Sequence, residues 1–535
     1  MKSRSARRRL APLAALSLAC TLGACTVGPD FQPPSWASPT NWFGSRAPDA
    51  AEAAPVSLAV AAPIETAWWQ EFHDPELSSL IARTAAGNLD IRVATVRIAE
   101  SRAQRGQARA AEFPTVNGNA SYSRERLSQD GEISLLSGGA SSSSNNVNTQ
   151  MNGATGTSGG IPSSITGGTK IPPFNLYQYG FDASWELDLW GRVRRSVENA
   201  DASLLASAEQ RRASTLSAIS EVARDYIELR GIQTQLAIQR QNLGTAQQSL
   251  DLTRQRYTGG LTTDLDVQNA SAQVRSTQAQ IPQLEQQQAQ MINAISFLLG
   301  LQPRALQDEL ITAKPVPPVP PRVPVGLPSE LARRRPDIRQ AEAQLHAATA
   351  EIGVAVAAFY PSVSLSGSFS IQALQAKQIG DWDARQYGMG PVVNLPIFQG
   401  GQLKATLELR KAQQQEAAAT YQRTVLNAWH EVENALVAYN AEQLRQKQLD
   451  AAVADSRRAL GLAQSRYTAG LIEFLQVLDA QRTLLSAQLQ LAQSTTTVST
   501  NLVALYNALG GGWQADYPAT PAPSTMAAAA AEDRS

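Results

Sequence analysis

Arg256-Tyr257-Thr258-Gly259-Gly260-Leu261 returns in the same chain as Arg466-Tyr467-Thr468-Ala469-Gly470-Leu471. The offset of 210 residues holds downstream, pairing Leu265 with Leu475, Val267 with Val477, Ala270 with Ala480 and Leu299-Gly300 with Leu509-Gly510. It holds upstream as well, pairing Glu221-Val222 with Glu431-Val432, Gly191 with Gly401 and Tyr177 with Tyr387. Earlier in each half the offset becomes 247, as Asp90-Ile91-Arg92 matches Asp337-Ile338-Arg339 and Pro114 matches Pro361. The difference places an insertion of 37 residues in the first half. A self-match of this length means one structural unit present twice.

Outward from the repeated hexapeptide, the pattern is helical. Val222, Leu229, Leu236, Leu243, Leu250 and Tyr257 recur every seven residues, with Ile219 and Tyr226 on a second seam, and no proline intervenes between Gly191 and Pro282. Sustained heptads predict coiled-coil-like packing. A helix from Gly191 to Tyr257 would be ~100 Å long at ~1.5 Å per residue, and Gly401 to Tyr467 repeats it. Each ends in a glycine-containing turn, followed by a returning helix, Thr263 to Leu299 or Glu473 to Leu509, of ~55 Å. Shorter helices, Asp90 to Glu112 and Asp337 to Ala358, add ~35 Å each. A short and a returning helix end to end nearly equal the long one, as in a wall of uniform height. The seams are diluted by Ala, Gln and Ser, which suits a wall wetted on two sides better than a solid stalk; pattern alone leaves both open.

Four segments alternate with period two, the signature of strands. They are Thr115 to Ser123, Leu176 to Leu189, Ser362 to Ile371 and Gln386 to Ile397. In the second, Tyr177, Tyr179, Phe181, Ala183, Trp185, Leu187 and Leu189 share one face; in the third, serines fill 362, 364, 366, 368 and 370. Their lengths suit a tilted membrane crossing of ~9–11 residues, with Tyr and Trp near the ends as in interfacial belts. Four strands cannot close a membrane barrel, which needs ~8 or more, and open edges do not survive in lipid. The chain must therefore associate; two, three or four copies would close. The first hairpin loop, 126–173, carries the insertion, and 25 of the 33 residues from Ser137 to Thr169 are Gly, Ser, Thr or Asn. That composition predicts a flexible loop on the outer side of the membrane.

The start of the chain is a targeting segment. Lys2, Arg4, Arg7, Arg8 and Arg9 precede an apolar stretch, Leu10 to Leu22, too short to span a bilayer as a helix. It ends in Leu22-Gly23-Ala24-Cys25, which resembles a bacterial lipobox whose cysteine is lipidated and becomes residue one. Thr26 rather than Asp after the cysteine favours the outer membrane by the same resemblance. Cys20 lies in the segment to be removed, so Cys25 alone remains and no intrachain disulfide is possible.

Enzyme chemistry is not supported, and no cofactor is expected beyond the covalent lipid on Cys25. His73, His346 and His430 are far apart with no metal-ligand spacing. Gly167-Gly168-Thr169-Lys170 lacks phosphate-loop spacing. With 46 basic and 46 acidic residues in 535, net charge is zero, and nothing favours nucleic acid.

The chain resembles the outer-membrane factor family, the TolC-like outer-membrane efflux proteins, and within it the NodT-type lipoprotein branch of tripartite pumps. The motifs are Cys25-Thr26-Val27-Gly28-Pro29-Asp30, Trp68-Trp69 with Phe72, Arg334-Arg335-Pro336-Asp337-Ile338, Phe359-Tyr360-Pro361-Ser362, Leu395-Pro396-Ile397-Phe398 with Gly400-Gly401, and Ala508-Leu509-Gly510-Gly511-Gly512-Trp513. The resemblance implies an α + β membrane protein whose four transmembrane strands close a 12-stranded barrel as a homotrimer, continued by a long α-helical periplasmic barrel. It implies a lipid-anchored (palmitate-bearing) subunit in the outer membrane of a Gram-negative bacterium. Its partners would be a periplasmic adaptor and an inner-membrane, proton-driven pump, and the duct would passively export drugs or other small toxic molecules. Acidic rings would narrow the periplasmic tip. Asp266 and Asp479 are the best matches, with Asp264 and Glu473 beside them, while Gln476 stands where relatives often place another Asp. Gly259-Gly260-Leu261 and Ala469-Gly470-Leu471 resemble the family's adaptor-contact tips. Export of proteins or peptides and a trimeric surface stalk are the competing functions.

The resulting organisation is a lipoprotein signal peptide over 1–24, a lipid anchor and N-terminal periplasmic segment over 25–87, and a first repeat over 88–300. A Pro-rich equatorial connector over 301–336 leads to a second repeat over 337–510, with its strand pair at 360–398, and a partly disordered tail over 511–535.

Overall fold

The computed structural model describes residues 26–34, 39–42, 57–60, 62–126 and 172–514. The expected signal peptide, Cys25, most of the 126–173 loop and the tail beyond 514 lie outside the described residues. In chain order the elements are β1 (Leu58–Val60), α1 (Pro75–Gly87), α2 (Leu89–Ala110), β2 (Thr115–Glu125), β3 (Phe174–Leu187), α3 (Arg192–Thr258) and α4 (Asp264–Leu298). There follow β4 (Arg322–Pro324), α5 (Pro336–Ala357), β5 (Ser362–Ala373), β6 (Arg385–Asn394), α6 (Gln402–Thr468) and α7 (Phe474–Ala508), with short 3-10 and single-turn helices between them. The two halves keep step: α3 and α6 have 67 residues each, α4 and α7 35 each, and α2 and α5 22 each.

The chain divides into two compact units. One contains the described residues of Met1–Gly28 with Gln107–Arg195 and Gly353–Lys404, and its centre is an antiparallel sheet ordered β2-β3-β5-β6. Register places side chains in rows across all four strands. Gly118, Phe181, Phe369 and Tyr387 form one row, and Val116, Ala183, Gly367 and Met389 form the next on the same face. The opposite face carries Asn117, Asp182, Ser368 and Gly388 in one row and Asn119, Gly180, Ser370 and Gln386 in another. One face is thus apolar and the other polar. On the apolar face Phe181 is 61% exposed, Tyr387 77% and Met389 87%, far beyond what a water-facing sheet leaves uncovered.

Two strands end earlier than alternation alone predicts. β3 stops at Leu187, not Leu189, because Asp188 turns back to cap the next helix, accepting from the backbone N–H of Val193 (3.1 Å) and Arg194 (2.9 Å). β6 stops at Asn394, leaving Leu395 and Ile397 outside the ladder, since Pro396 has no N–H to donate.

The same unit seats the first described residues. Val27 N–H donates to the Trp190 carbonyl (3.1 Å), and a Cβ on Gly28 would stand 2.6 Å from the Gly353 Cα. Trp190 and Tyr360 stack at 4.8 Å beside them, and Trp185 donates from its indole to the Glu112 carbonyl (3.0 Å). Amphipathic rings therefore gather at the end of the sheet where the chain passes into helices, as they do at a membrane–water boundary.

In the second unit, Pro29–Gly106, Ser196–Ile352 and Ala405–Ser535, the regular elements among the described residues are helices and the two-stranded parallel pairing of β1 with β4. Its core collects motifs scattered over the sequence. Trp68 stacks on Tyr506 (5.1 Å), meets Trp69 and Phe72 edge-on, and donates to the Gly511 carbonyl (3.1 Å). Arg335, nearly buried, donates to the Ala508 carbonyl (2.8 Å) and pairs with Glu431 and Asp337, both at 2.7 Å. The heptad seam is buried at Val222, Leu229, Leu236 and Leu250, and at Ile219 and Tyr226, but Tyr257 is 48% exposed. At the repeat-related position its counterpart Tyr467 is buried against Phe474 (5.5 Å); the first repeat has Asp264 where Phe474 stands, so no ring covers Tyr257.

Candidate functional site

Both helix turns close in the same way. Gly260 (φ +70°) donates to the Tyr257 carbonyl (2.9 Å) and Leu261 to the Arg256 carbonyl (2.8 Å). Gly470 (φ +75°) donates to Tyr467 (3.0 Å) and Leu471 to Arg466 (2.9 Å). This is the Schellman arrangement, in which a left-handed residue satisfies the last carbonyls of a helix. Glycine is required there for its backbone angle, not for space, since a Cβ on Gly260 or Gly470 would meet nothing within 4 Å. The caps leave Gly259, Gly260, Ala469 and Gly470 exposed and thrust Leu261 (69% exposed) and Leu471 (74%) outward.

The two turns are neighbours within one chain. Arg256 donates to the Thr468 carbonyl (3.2 Å), and its guanidinium lies 4.7 Å from the Tyr467 ring centre. Beneath them a compact apolar cluster unites Leu250, Val274, Val453, Leu460, Phe474, Val477 and Leu478 from all four helices.

The four acidic residues expected at the gate occupy unlike settings. Asp264 and Asp266 lie in the first turn of α4, where carboxylates complement the helix dipole. Asp264 is exposed and accepts from Gln268 (3.4 Å), whereas Asp266 is half-buried and accepts from the Thr262 hydroxyl. Glu473 is the exposed N-cap of α7, without a side-chain capping bond, and Asp479 is exposed farther along that helix. The first turn of α7 carries no acidic residue, Gln476 being the departure already visible in sequence.

Sequence reasoning missed the buried charges. Arg230, fully buried, donates to Glu76 (2.7 Å), Gln233 (2.7 Å) and the Thr312 carbonyl (2.9 Å). Tyr226 donates to Asp74 (2.7 Å), whose other oxygen caps α1. Burial, together with that carboxylate, pushes the Tyr226 hydroxyl far above its ordinary range. Glu209 is enclosed by Arg339 (2.8 Å) and Arg212, both of which also lie over the Trp513 ring. Burial pushes its carboxyl up despite the two cations. Burial also drives the Tyr439 hydroxyl up to about 12. Arg230, Tyr226 and Glu209 tie distant segments together, and no group of three or more potential metal ligands converges among the described residues.

A chain with an amphipathic four-stranded sheet and two pairs of long helices has counterparts. The family profile described as outer membrane efflux protein matches residues 80–301 and 327–511. The chain belongs to the outer membrane efflux protein family. Outer membrane protein OprJ of Pseudomonas aeruginosa is 33% identical over 510 residues, which cover 94% of this chain and 96% of OprJ. The toluene efflux pump outer membrane protein TtgC of Pseudomonas putida is 35% identical over 520 residues, 93% of this chain and 95% of TtgC. Among solved structures, the outer-membrane channel OprN aligns with TM-score 0.79 and 34% identity, covering 92% of this chain and all of that one. This member of the efflux protein family is accordingly the outer-membrane channel component of an efflux system, with the TolC-like fold, in a family of transport proteins rather than enzymes.

Proposed function

We propose that three copies join their sheets into one twelve-stranded transmembrane barrel, anchored by lipid on Cys25, and that their helices continue it as a periplasmic duct. The observation that carries this reading is the sheet itself. Its large apolar side chains face outward uncovered, and its edges, β2 and β6, have no partner among the described residues. The apolar face suits contact with lipid, but the unpaired edges are not stable there until the ring closes. The strands alternate in direction, so β6 of one copy lies antiparallel to β2 of the next and the head-to-tail contact repeats until it closes. The lipid is supported by the position of Thr26–Gly28, seated at the aromatic end of the sheet immediately after Cys25.

The exposed leucines at the turns, Leu261 and Leu471, would face a periplasmic adaptor, which links the duct to a proton-driven inner-membrane pump. The cargo is small toxic molecules, the class to which the toluene exported with TtgC belongs. The acidic residues Asp264, Asp266, Glu473 and Asp479 would ring the tip, where carboxylates repeated about the axis favour cations in a narrow pore.

Native mass spectrometry of the purified full chain in detergent tests the assembly. Three chains, each beginning at a lipidated Cys25, are expected. A homogeneous single-chain particle would contradict the ring, and an unmodified Cys25 would remove the anchor while leaving the ring.

A further inference from the structure

The two faces of the sheet divide charge as sharply as they divide polarity. By register, the apolar face takes the even positions of β2 and the odd positions of β3, β5 and β6. Among these strand residues its only charges are Arg124 and Arg385. Every carboxylate of the four strands, Glu125, Asp182 and Glu186, falls on the other face. Both arginines stand at the hairpin end of the sheet. Arg385 completes the row of Ala120, Tyr179 and Ile371, and Arg124 lies opposite Asn175, just beyond the row of Tyr122, Tyr177 and Ala373.

The two ends of the sheet treat their cations differently. At the end where strands pass into helices, Arg192 pairs with Glu186 and Arg194 with Asp188 (3.2 Å). At the hairpin end, neither Arg124 nor Arg385 has an ion pair or a side-chain hydrogen bond among the described residues. Asp381 and Asp383 share the hairpin with Arg385, and neither pairs with it. The Arg385 guanidinium instead lies 3.5 Å from the centre of the Trp382 ring, which is itself 76% exposed. An indole behind a guanidinium fixes its plane and leaves its N–H fork free to donate.

Depth fits a headgroup. From Val393 to Arg385 the strand rises ~27 Å at ~3.4 Å per residue, or ~20 Å of height at a tilt of ~40°, which brings Arg385 to the edge of an apolar band ~25 Å tall. The tilted pair Tyr122 and Tyr177, 4.9 Å apart, lies at the same level, as interfacial rings do. We infer that the outer rim of the barrel binds the phosphate groups of a phosphorylated lipid of the outer leaflet, through Arg124 and the Trp382-backed Arg385. Guanidinium forks match phosphate oxygens in pairs. β2 and β6 are the two edges of the sheet, so in a closed ring Arg385 of one copy and Arg124 of the next border one seam, and a lipid carrying two phosphates suits that spacing of two cations. This rests on the ring closure proposed above.

The test uses the full chain, purified as the intact particle and stripped of bound lipid in a nonionic detergent. Native mass is recorded first: a one-chain particle overturns the ring and this inference with it. Diphosphoryl lipid A and its dephosphorylated form are then titrated separately, and bound lipid is counted by mass. The three-chain particle should hold the phosphorylated form on the order of tenfold more tightly, since each arginine near an anionic surface is worth about fivefold. Arg385→Gln should weaken that binding about fivefold and Arg124→Gln/Arg385→Gln about twentyfold. Arg385→Lys, which keeps the charge and loses the fork, should weaken it less than Arg385→Gln. Lys404→Gln removes an exposed cation from the opposite end of the same unit and should leave it unchanged. A three-chain particle that binds both lipids equally overturns this inference alone, as does a double variant that binds like the unaltered protein. An equal loss in Lys404→Gln would mean that overall charge, not the rim, attracts the lipid, and would overturn the site. Should the double variant fail to assemble, Arg385→Lys and Lys404→Gln decide the matter by the same comparison.

Discussion

The guanidinium of Arg256 lies 4.7 Å from the centre of the Tyr467 ring, a residue buried to 4% exposure, and donates to the carbonyl of the following Thr468 across 212 positions of sequence. This contact holds the two turns of one chain side by side. The ring face supplies it, not the hydroxyl: the Tyr467 hydroxyl is buried with no hydrogen-bond partner. Tyr467→Phe should therefore leave thermal stability and conductance unchanged or slightly raise stability, because an unsatisfied buried hydroxyl costs ~1–3 kcal/mol. Tyr467→Leu should lose the contact and loosen the turns. A Phe variant as impaired as the Leu variant would show that the hydroxyl, and not the ring, is what matters.

The sheet makes a face-specific prediction. Phe369 and Ser368 are adjacent in β5 and point to opposite faces, one toward the proposed lipid and one toward the lumen. Phe369→Arg should cost ~2–4 kcal/mol, as a cation near the bilayer midplane does, and lower recovery of folded particles from the outer membrane. Ser368→Arg should fold and alter ion selectivity instead. Equal damage from both would contradict the assignment of faces.

The glycines separate into those needed for angle and those needed for room. Gly260→Ala should cost ~1–2 kcal/mol, the ordinary penalty of a left-handed residue with a side chain, because nothing lies within 4 Å of the added methyl. Gly300 has the same backbone conformation (φ +71°), but its Cβ would stand 2.6 Å from the Gly87 carbonyl oxygen. Gly300→Ala should be distinctly more destabilising in chemical denaturation. Equal losses would mean that the backbone at Gly87 moves freely aside.

Glu209 provides a pH test. Its carboxyl is pushed above the ordinary range by burial, so the folded state holds this proton more tightly than the unfolded chain. Between the ordinary glutamate value of ~4.3 and the raised one, the folded state carries the extra proton and stability falls as pH rises. The unaltered protein should therefore gain stability relative to Glu209→Gln as pH drops from neutral toward ~4.3. A gain in the opposite direction, measured by thermal unfolding across that window, would show that Arg212 and Arg339 outweigh burial.

Much of this was legible in the residues because it is local and periodic. Period-two alternation with small polar partners marked the strands from Thr115 and Ser362, and the repeated Arg-Tyr-Thr with its glycines marked both helix ends. Strand ends were overrun where a local rule competed: Asp188 preferred to cap a helix, and Pro396 could not donate. The buried ion pairs were illegible for a different reason. Glu76 and Arg230 are 154 positions apart, and nothing in either neighbourhood announces a partner at that range. Tyr257 looked like a seam residue because the heptad reaches it, yet burial at that level depends on which residue stands opposite. In the second repeat that residue is Phe474; in the first it is Asp264.

Arg230 and Glu76 offer a stability measurement independent of the channel. Removing one member of a buried pair leaves the other charge uncompensated, at a cost of ~3–5 kcal/mol. Glu76→Ala should therefore be strongly destabilising, while Glu309→Ala, whose ion pair with Arg83 is about 40% exposed on both sides, should cost ~0–1 kcal/mol. Denaturation midpoints that rank these two variants alike would contradict the burial of Arg230.

The central claim is that the chain forms a duct held closed at its helix turns. Single-channel conductance of the purified full-length particle in a planar bilayer tests it most directly, comparing the unaltered protein with Asp266→Ala/Asp479→Ala. Low conductance that rises sharply in the double variant is the predicted result. Correctly assembled particles that conduct in neither form would contradict the duct itself.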